Sequence, residues 1–272
     1  MLDITLDEER LMGILAALIL GIIQGLTEFL PISSSGHLMV VEHLFGIEGG
    51  SLFFNVLVHF AKLISVVLVF WKDVIYLIKH PFSKRMLTIV LACIPTIIIA
   101  LVVEFLFDEF SLMAFVGFGF LISAIVISIT SFLQARKKPF RTLEVGNGQA
   151  LTIGFVQGLA VFPGISRSGS TICAGLMLGV EREEAAKFSF LISLPVILGG
   201  MVFEVADGIK SGFGAVNALA CLVGFIAAFA VAILTIKLMM KIVKKGSWWP
   251  FAVYLFIIAT LVLLNQFVFA WF

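Results

Sequence analysis

The residues with most to say about chemistry are ionisable groups set in apolar sequence. A charge at the centre of a membrane helix costs about 2.5–3.5 kcal/mol on insertion scales, so such groups are functional candidates by default. Glu28 is the clearest case, four residues after Gln24 in ILGIIQGLTEFLP, a spacing that brings both polar side chains onto one helical face. The segment Pro31 to His37, PISSSGH, then ends one helix and opens another, with Ser33, Ser34 and Ser35 at cap positions. Capping accounts for one serine. Three in a row before Gly36 fit backbone N–H groups and hydroxyls gathered around an anion at a helix N-terminus, where the macrodipole adds about half a positive charge. His37 is suited to general acid or base work, or to attack on phosphorus. A second segment, Pro163 to Thr171, PGISRSGST, sets Ser166, Ser168, Ser170 and Thr171 around Arg167. That guanidinium is always ionised and presents a planar fork of donors matched to phosphate oxygens. An acid/base set on one segment and a cation on the other suit phosphate chemistry.

Weaker signals lie nearby. Glu42, His43 and His59 read as interfacial or packing residues. Lys62, inside the next apolar span, either holds a phosphate or pairs with Glu28 or Glu104, and the residues alone do not choose. Cys93, Cys173 and Cys221 sit singly in apolar context and read as packing residues. No Walker-type loop or Cys/His metal cluster occurs.

The elements that must position these groups are membrane helices. Of the 272 residues 61% are hydrophobic and 13% charged, with mean hydropathy +1.17, and no polar stretch is long enough for a soluble domain, so 1–272 reads as one membrane domain. A formal net charge of +1 argues against bulk attraction to nucleic acid. About 20 apolar residues cross the hydrocarbon core. Six stretches meet that requirement, roughly 52–71, 86–106, 112–133, 186–206, 213–236 and 250–271. Residues 11–47 and 149–180 are different: each is an apolar run broken by Pro, Ser and Gly, and then resumed. They read as re-entrant helical hairpins, tolerated where the non-helical tip is buried in protein or lines a cavity.

With both hairpins re-entrant, fourteen of the eighteen Lys and Arg residues fall on or near one face, among them Lys84, Arg85, Arg136, Lys137, Lys138, Arg141, Lys187, Lys244 and Lys245. The other face takes the acidic start of the chain, Asp108, Glu109 and Asp207, with few cations beyond Arg10 and Lys210. The positive-inside rule makes that second face extracytoplasmic, with both termini on it. Trp71, Trp248, Trp249 and Trp271 fall at span ends, as interfacial aromatics do. The acidic start is unlike a secretory signal, and no cleavage is expected.

The two broken segments are also related to each other. GIIQGLTEFLPISSSG at 21–36 and GFVQGLAVFPGISRSG at 154–169 share nine of sixteen positions without a gap, and the register runs on to Gly46 with Gly179 and Glu48 with Glu181. Each is followed by three spans, so the units 11–133 and 149–271 enter the membrane from opposite sides and form an inverted-topology repeat, with the hairpin tips meeting near the midplane. The copies divide the labour. Glu28 and His37 face Val161 and Ser170 in the alignment, and Ser34 faces Arg167. The expected fold is an all-α polytopic membrane protein with six transmembrane helices and two re-entrant hairpins. Such repeats with discontinuous helices also mark transporters, so a carrier or flippase for a phosphate-bearing lipid or for phosphate is the alternative to an enzyme.

QGLTEFLPISSSGH and PGISRSGST resemble, in order and across essentially the whole chain, the two signature motifs of the bacterial undecaprenyl-diphosphate phosphatases, also called bacitracin-resistance proteins. The resemblance implies an inner-membrane enzyme that removes the terminal phosphate of undecaprenyl diphosphate and regenerates the lipid carrier for cell-wall synthesis. It implies roles for Gln24 and Glu28 as the family's E/Q-x-x-x-E pair, for Ser34 and His37 as its essential Ser and His, and for Arg167 with Ser166 and Thr171 as its phosphate-binding motif. Ser33, Ser35 and Ser168 join the expected phosphate-binding set. No tightly bound cofactor is implied, but the family shows stimulation by divalent cations, which implies Mg or Ca with Glu28 as a candidate ligand. Gln24 is the variant without a carboxylate, which weakens any mechanism needing two carboxylates on a metal. The expected partners are the lipid diphosphate and the bilayer, with a homodimer allowed and the active site opening to the extracytoplasmic side.

Overall fold

The computed structural model describes residues 2–45, 52–107, 114–135, 142–213 and 217–269, with side chains described outside 2–12 and Phe269. Gly46, Glu48, Asp108, Glu109, Arg136, Lys137, Lys138, Arg141 and Trp271, and the Arg10 side chain, lie outside the described residues. The described chain is helical, with one isolated bridge between Thr142 and Val180. In chain order the helices are α1 Leu2–Thr27, α2 Ser34–Phe45, α3 Leu52–Val69, α4 Trp71–Lys79, α5 Lys84–Leu106, α6 Val116–Ala135, α7 Asn147–Leu159, α8 Arg167–Met177, α9 Arg182–Ser211, α10 Ala218–Lys245 and α11 Trp249–Leu264, followed by a π-helical turn, Asn265–Phe269.

Six of these are long and apolar enough to cross a membrane: α3, α5, α6, α9, α10 and the run Trp249–Val268. Each overlaps one expected span, the largest difference being α10, which begins at Ala218 and runs on to Lys245 against the expected 213–236. Their outward faces carry apolar side chains such as Phe105, 89% exposed, Phe203, 65%, and Leu234, 67%, a surface only a lipid solvent accommodates. Helix ends are set locally. The side chains of Ser83, Glu181 and Asn217 accept the backbone N–H of Met86, Glu184 and Ala220, and Gly246, at φ +75°, closes α10 in the left-handed conformation. Pro250 occupies the first turn of α11, where its missing N–H costs nothing. The short helix α4, after α3 with only Phe70 between, is an element the apolar runs did not signal.

Both broken segments are helix, break, helix: α1 and α2 around residues 28–33, and α7 and α8 around 160–166. In the first break Pro31 precludes continuation and Ser33 takes φ +68°, a left-handed conformation uncommon outside glycine. In the second, Pro163 is followed by Gly164 at φ +83°, where a Cβ would also lie 2.2 Å from the Val116 carbonyl oxygen.

The breaks touch. Ser168 Oγ donates to the Leu30 carbonyl at 2.9 Å, and a Cβ on Gly169 would meet Pro31 at 3.0 Å.

Packing follows an exchange pattern. Helix α1 lies along α10, and α7 lies along α5, so the first helix of each broken segment packs on the second long span that follows the other. The contacts are made at matching repeat positions: a Cβ on Gly21 would sit 2.4 Å from the Gly224 carbonyl oxygen, and one on Gly154 2.0 Å from that of Ala92. Small residues allow backbone-to-backbone approach where lipid gives no hydrophobic drive for association. Gly154→Ala is expected to force α7 off α5 and lower stability by about 1–3 kcal/mol. Exposed Gly148, with nothing within 4 Å of a built Cβ, is expected to accept Ala with a neutral or stabilising effect. Thermal melts of the two variants in detergent check the contrast.

Candidate active site

The end of α1 delivers the first group. Thr27 returns its hydroxyl to the Ile23 carbonyl at 2.7 Å, and Glu28 follows at the first turn of the break with its carboxylate 9% exposed. Four donors close on it. Oε1 accepts from the Arg167 guanidinium, and Oε2 accepts from Ser34 Oγ at 2.8 Å, Lys62 Nζ at 3.1 Å and, more loosely, Gln24 Nε2 at 3.4 Å. These donors come from α1, α2, α3 and α8, so the carboxylate ties the two broken segments and the first long span together. Of the expected site residues, Gln24, Glu28, Ser34 and Arg167 thus meet at one point. Lys62 joins them, and of its two sequence-level partners the structure selects Glu28.

Around this cluster lies a cavity of 340 Å³, lined by Gln24, Glu28, Ser34, Ser35, Lys62 and Arg167, with Gln157 and Thr96 opposite. Three of the residues that line it carry polar atoms without partners: Arg167 Nη1, Gln24 Oε1 and Gln157 Oε1 are buried and unbonded in the described structure. Unpaired buried polar atoms are uncommon enough to point to a ligand or bound solvent. Within the cavity wall one carboxylate faces two cations, leaving one positive charge in excess. The next carboxylate, Glu204, lies in an adjoining cavity of 240 Å³ and is bonded to His59 Nδ1 at 2.7 Å. Both cavities share Gln24, Ser35, Leu38 and His59, which makes them one continuous cleft.

His37 is placed elsewhere. Its Nδ1 donates to the Ser33 carbonyl at 2.7 Å, which leaves Nε2 to accept from the Tyr254 hydroxyl at 2.6 Å. The ring stacks on Tyr254 and meets Phe120 edge-on, and it does not line the cavity. In this arrangement the histidine braces the left-handed Ser33 from below. The remaining hydroxyls of the expected phosphate set are also spent locally. Ser166 caps α8 through Gly169 N at 3.1 Å, and its own N–H is held by Ser123 Oγ at 2.8 Å. Thr171 bonds the Arg167 carbonyl at 2.8 Å and Ser189 Oγ at 2.6 Å. Ser33 Oγ faces Ser35 Oγ at 3.4 Å and Gly36 N at 3.5 Å. Ser166, Ser168, Ser170 and Thr171 are buried and none lines the cavity, so they shape the second break and aim Arg167 rather than surround the cleft.

Sequence reasoning missed Gln157, Thr96, Glu204 and Tyr254. Gln157 was findable, since it stands at the repeat position of Gln24 and donates to Thr96 Oγ1 at 3.1 Å. Glu204, an ionisable residue in a span, carried the same signal as Glu28. Tyr254 had none. As for a divalent cation, the donor set fits poorly. Both oxygens of Glu28 face hydrogen-bearing donors, position 24 is an amide, and no three His, Cys, Asp or Glu side chains among the described residues are grouped to hold a metal ion.

A family model described as bacitracin resistance protein BacA matches residues 17–261. The chain is 40% identical over 256 residues to the undecaprenyl-diphosphatase of Halothermothrix orenii, covering 93% of this chain and 98% of that one. It is 37% identical to undecaprenyl-diphosphatase 3 of Bacillus cereus (strain ATCC 14579) over 94% of this chain and 98% of the relative. To the undecaprenyl-diphosphatase of Carboxydothermus hydrogenoformans it is 35% identical, over 92% and 96%.

Removing the shared carboxylate should expose its role as a tie. Glu28→Gln leaves two buried cations facing each other and is expected to cost about 3–5 kcal/mol, or roughly 10 °C in melting temperature. Arg167→Gln, which leaves Glu28 paired with Lys62, is expected to cost distinctly less. Thermal unfolding of both variants in one detergent tests the order, and equal losses would refute it.

Proposed function

The chain belongs to the bacitracin resistance protein BacA family, and from that premise we propose that it is an integral-membrane phosphatase hydrolysing undecaprenyl diphosphate to undecaprenyl phosphate and inorganic phosphate. The lipid carrier of cell-wall synthesis is thereby recycled, and resistance to bacitracin follows from the same activity. One observation carries the site assignment: the Ser34 hydroxyl lies 2.8 Å from the Glu28 carboxylate in a cleft that also holds the Arg167 and Lys62 cations.

The geometry supports a division of roles. Ser34 Oγ attacks the terminal phosphorus while its proton passes to Glu28, the phosphoric anhydride bond breaks, and the departing undecaprenyl phosphate takes that proton from Glu28, which restores the carboxylate. Water, deprotonated by Glu28 in turn, then attacks the phosphoserine, releases inorganic phosphate and returns the serine. Arg167 neutralises charge on the equatorial oxygens, the dominant contribution in phosphoryl transfer. Gln24 fixes the carboxylate, and Ser35 and Gln157 complete the polar wall. His37 braces the turn that presents Ser34.

The finer architecture belongs to the same proposal. The exchange packing of α1 on α10 and α7 on α5, with matched glycines at 21 and 154, supports two re-entrant hairpins in inverted repeats. Orientation follows from where the cleft leads. Its outer part is lined by Phe54 and Asn55 near the start of α3 and by Glu204 toward the end of α9. The charged cluster of Asp73, Arg85, Glu184 and Lys187 lies by the end of α3 and the starts of α5 and α9, at the opposite end of the bundle. With the basic end cytoplasmic, the cleft opens to the outer side of the bacterial cytoplasmic membrane.

The test is phosphate release from undecaprenyl diphosphate by the purified protein in detergent. Wild type is expected to release phosphate, Ser34→Ala to lose about 10³-fold or more in kcat, and His37→Gln to stay within about tenfold of wild type. Loss in His37→Gln equal to that in Ser34→Ala would move the nucleophile to His37. No release by folded wild type would favour a carrier for the lipid.

A further inference from the structure

Lys62 is a cation that the catalytic scheme does not strictly need, in a place where an uncompensated charge is costly. It projects from the middle of α3 with its side chain 3% exposed, and its ammonium lines the cleft beside Glu28. Of the three hydrogen bonds an ammonium can donate, Glu28 takes one at 3.1 Å, and no other acceptor is bonded to it among the described residues. Arg167 Nη1 is likewise buried and unbonded on the other side of the same carboxylate. Spare donors on two cations therefore flank one carboxylate.

Resting on the phosphatase reading above, we propose that Lys62 is a second phosphate-binding cation beside Arg167 and that it stands where a divalent ion would otherwise sit, so that this chain acts without one. The donor set argues for this. A hard divalent cation requires six or more oxygen ligands, and here Glu28 is saturated by N–H and O–H donors while Gln24 points its Nε2 at the same carboxylate. The orientation of that amide is set by the carboxylate, which repels an oxygen. The charges also balance. Two carboxylates with a divalent ion sum to zero, and so do Glu28 and Lys62 with a neutral Gln24. Either arrangement leaves the Arg167 charge free to answer the phosphate. Gln24 and Lys62 thus form a matched pair: an amide where a metal would call for an acid, and an ammonium where the metal would lie.

Two readouts test it on the purified full chain in detergent. The first is phosphate release from undecaprenyl diphosphate in chelator and in added Mg²⁺. Wild type is expected to be chelator-resistant. Lys62→Ser is expected to fall about a hundredfold or more in chelator. Gln24→Glu combined with Lys62→Ser is expected to be inactive in chelator and to recover with Mg²⁺. Lys62→Arg, which keeps the charge, should retain chelator-resistant release, whereas a merely structural lysine would give equal losses in all variants regardless of metal. The second readout is Mn²⁺ binding by electron paramagnetic resonance, expected at one site in the double variant and at none in wild type. Wild type that is silenced by chelator, or that binds one Mn²⁺ in the cleft, overturns the proposal, as does undiminished release by Lys62→Ser in chelator. If the serine variants do not fold, the two wild-type measurements still decide. No phosphate release by wild type under any condition defeats the phosphatase reading, and Mn²⁺ binding then tests the occupancy by Lys62 separately.

Discussion

A single buried carboxylate holds this molecule's working parts in register. Burying Glu28 without partners would be prohibitive, and the fold meets that cost by aiming two cations and two neutral donors at it from four helices. The requirement is mutual, since Lys62 and Arg167 are themselves admitted to the interior only because Glu28 is there. Strong, charge-assisted bonds made across sequence separations of 34 and 139 residues then specify how α1, α3 and α8 meet.

The second constraint is the backbone at the breaks. A chain that stops being helical inside a protein strips several carbonyl and N–H groups of their partners, which must then find others. The serine-rich tips answer this. Ser166, Ser168 and Thr171 bond backbone atoms and each other, Ser123 reaches across from α6 to Ser166 N and the Gly164 carbonyl at 3.2 Å, and His37 takes the Ser33 carbonyl. One serine, Ser34, is left with its hydroxyl on the carboxylate. The abundance of hydroxyls in these motifs therefore reflects two demands, of which holding the break open is the larger.

Small residues make the arrangement possible. Gly36 fits against Phe120 and Gly164 and Gly119 against the Pro163 carbonyl, closer than a Cβ would allow, and Gly169 packs tightly on Pro31. The breaks are thereby brought close enough for Arg167 of one to reach Glu28 of the other. The cleft that results mixes polar groups with the apolar side chains of Leu38, Met39, Phe54 and Val58.

The sequence by itself determined the membrane class, the six spans and the relationship between the two broken segments, because hydropathy and a gapless repeat are local properties of the chain. It also pointed to Glu28, Ser34 and Arg167, since a charge or a run of hydroxyls in apolar sequence is conspicuous without a fold. Only the tertiary structure decided which hydroxyls are free. Ser34 and Ser166 look alike as cap residues, and His37 looks like an acid/base group, until the positions of Ser123, Ser189 and Tyr254 show what each already bonds. Tertiary structure also decided the partner of Lys62, for Glu28 and Glu104 are both ionisable neighbours in an apolar sequence, and choosing between them requires knowing which helices touch. Hydrogen bonds and ion pairs act over about 3 Å between residues far apart in the chain, so no periodicity or spacing along the sequence carries that information.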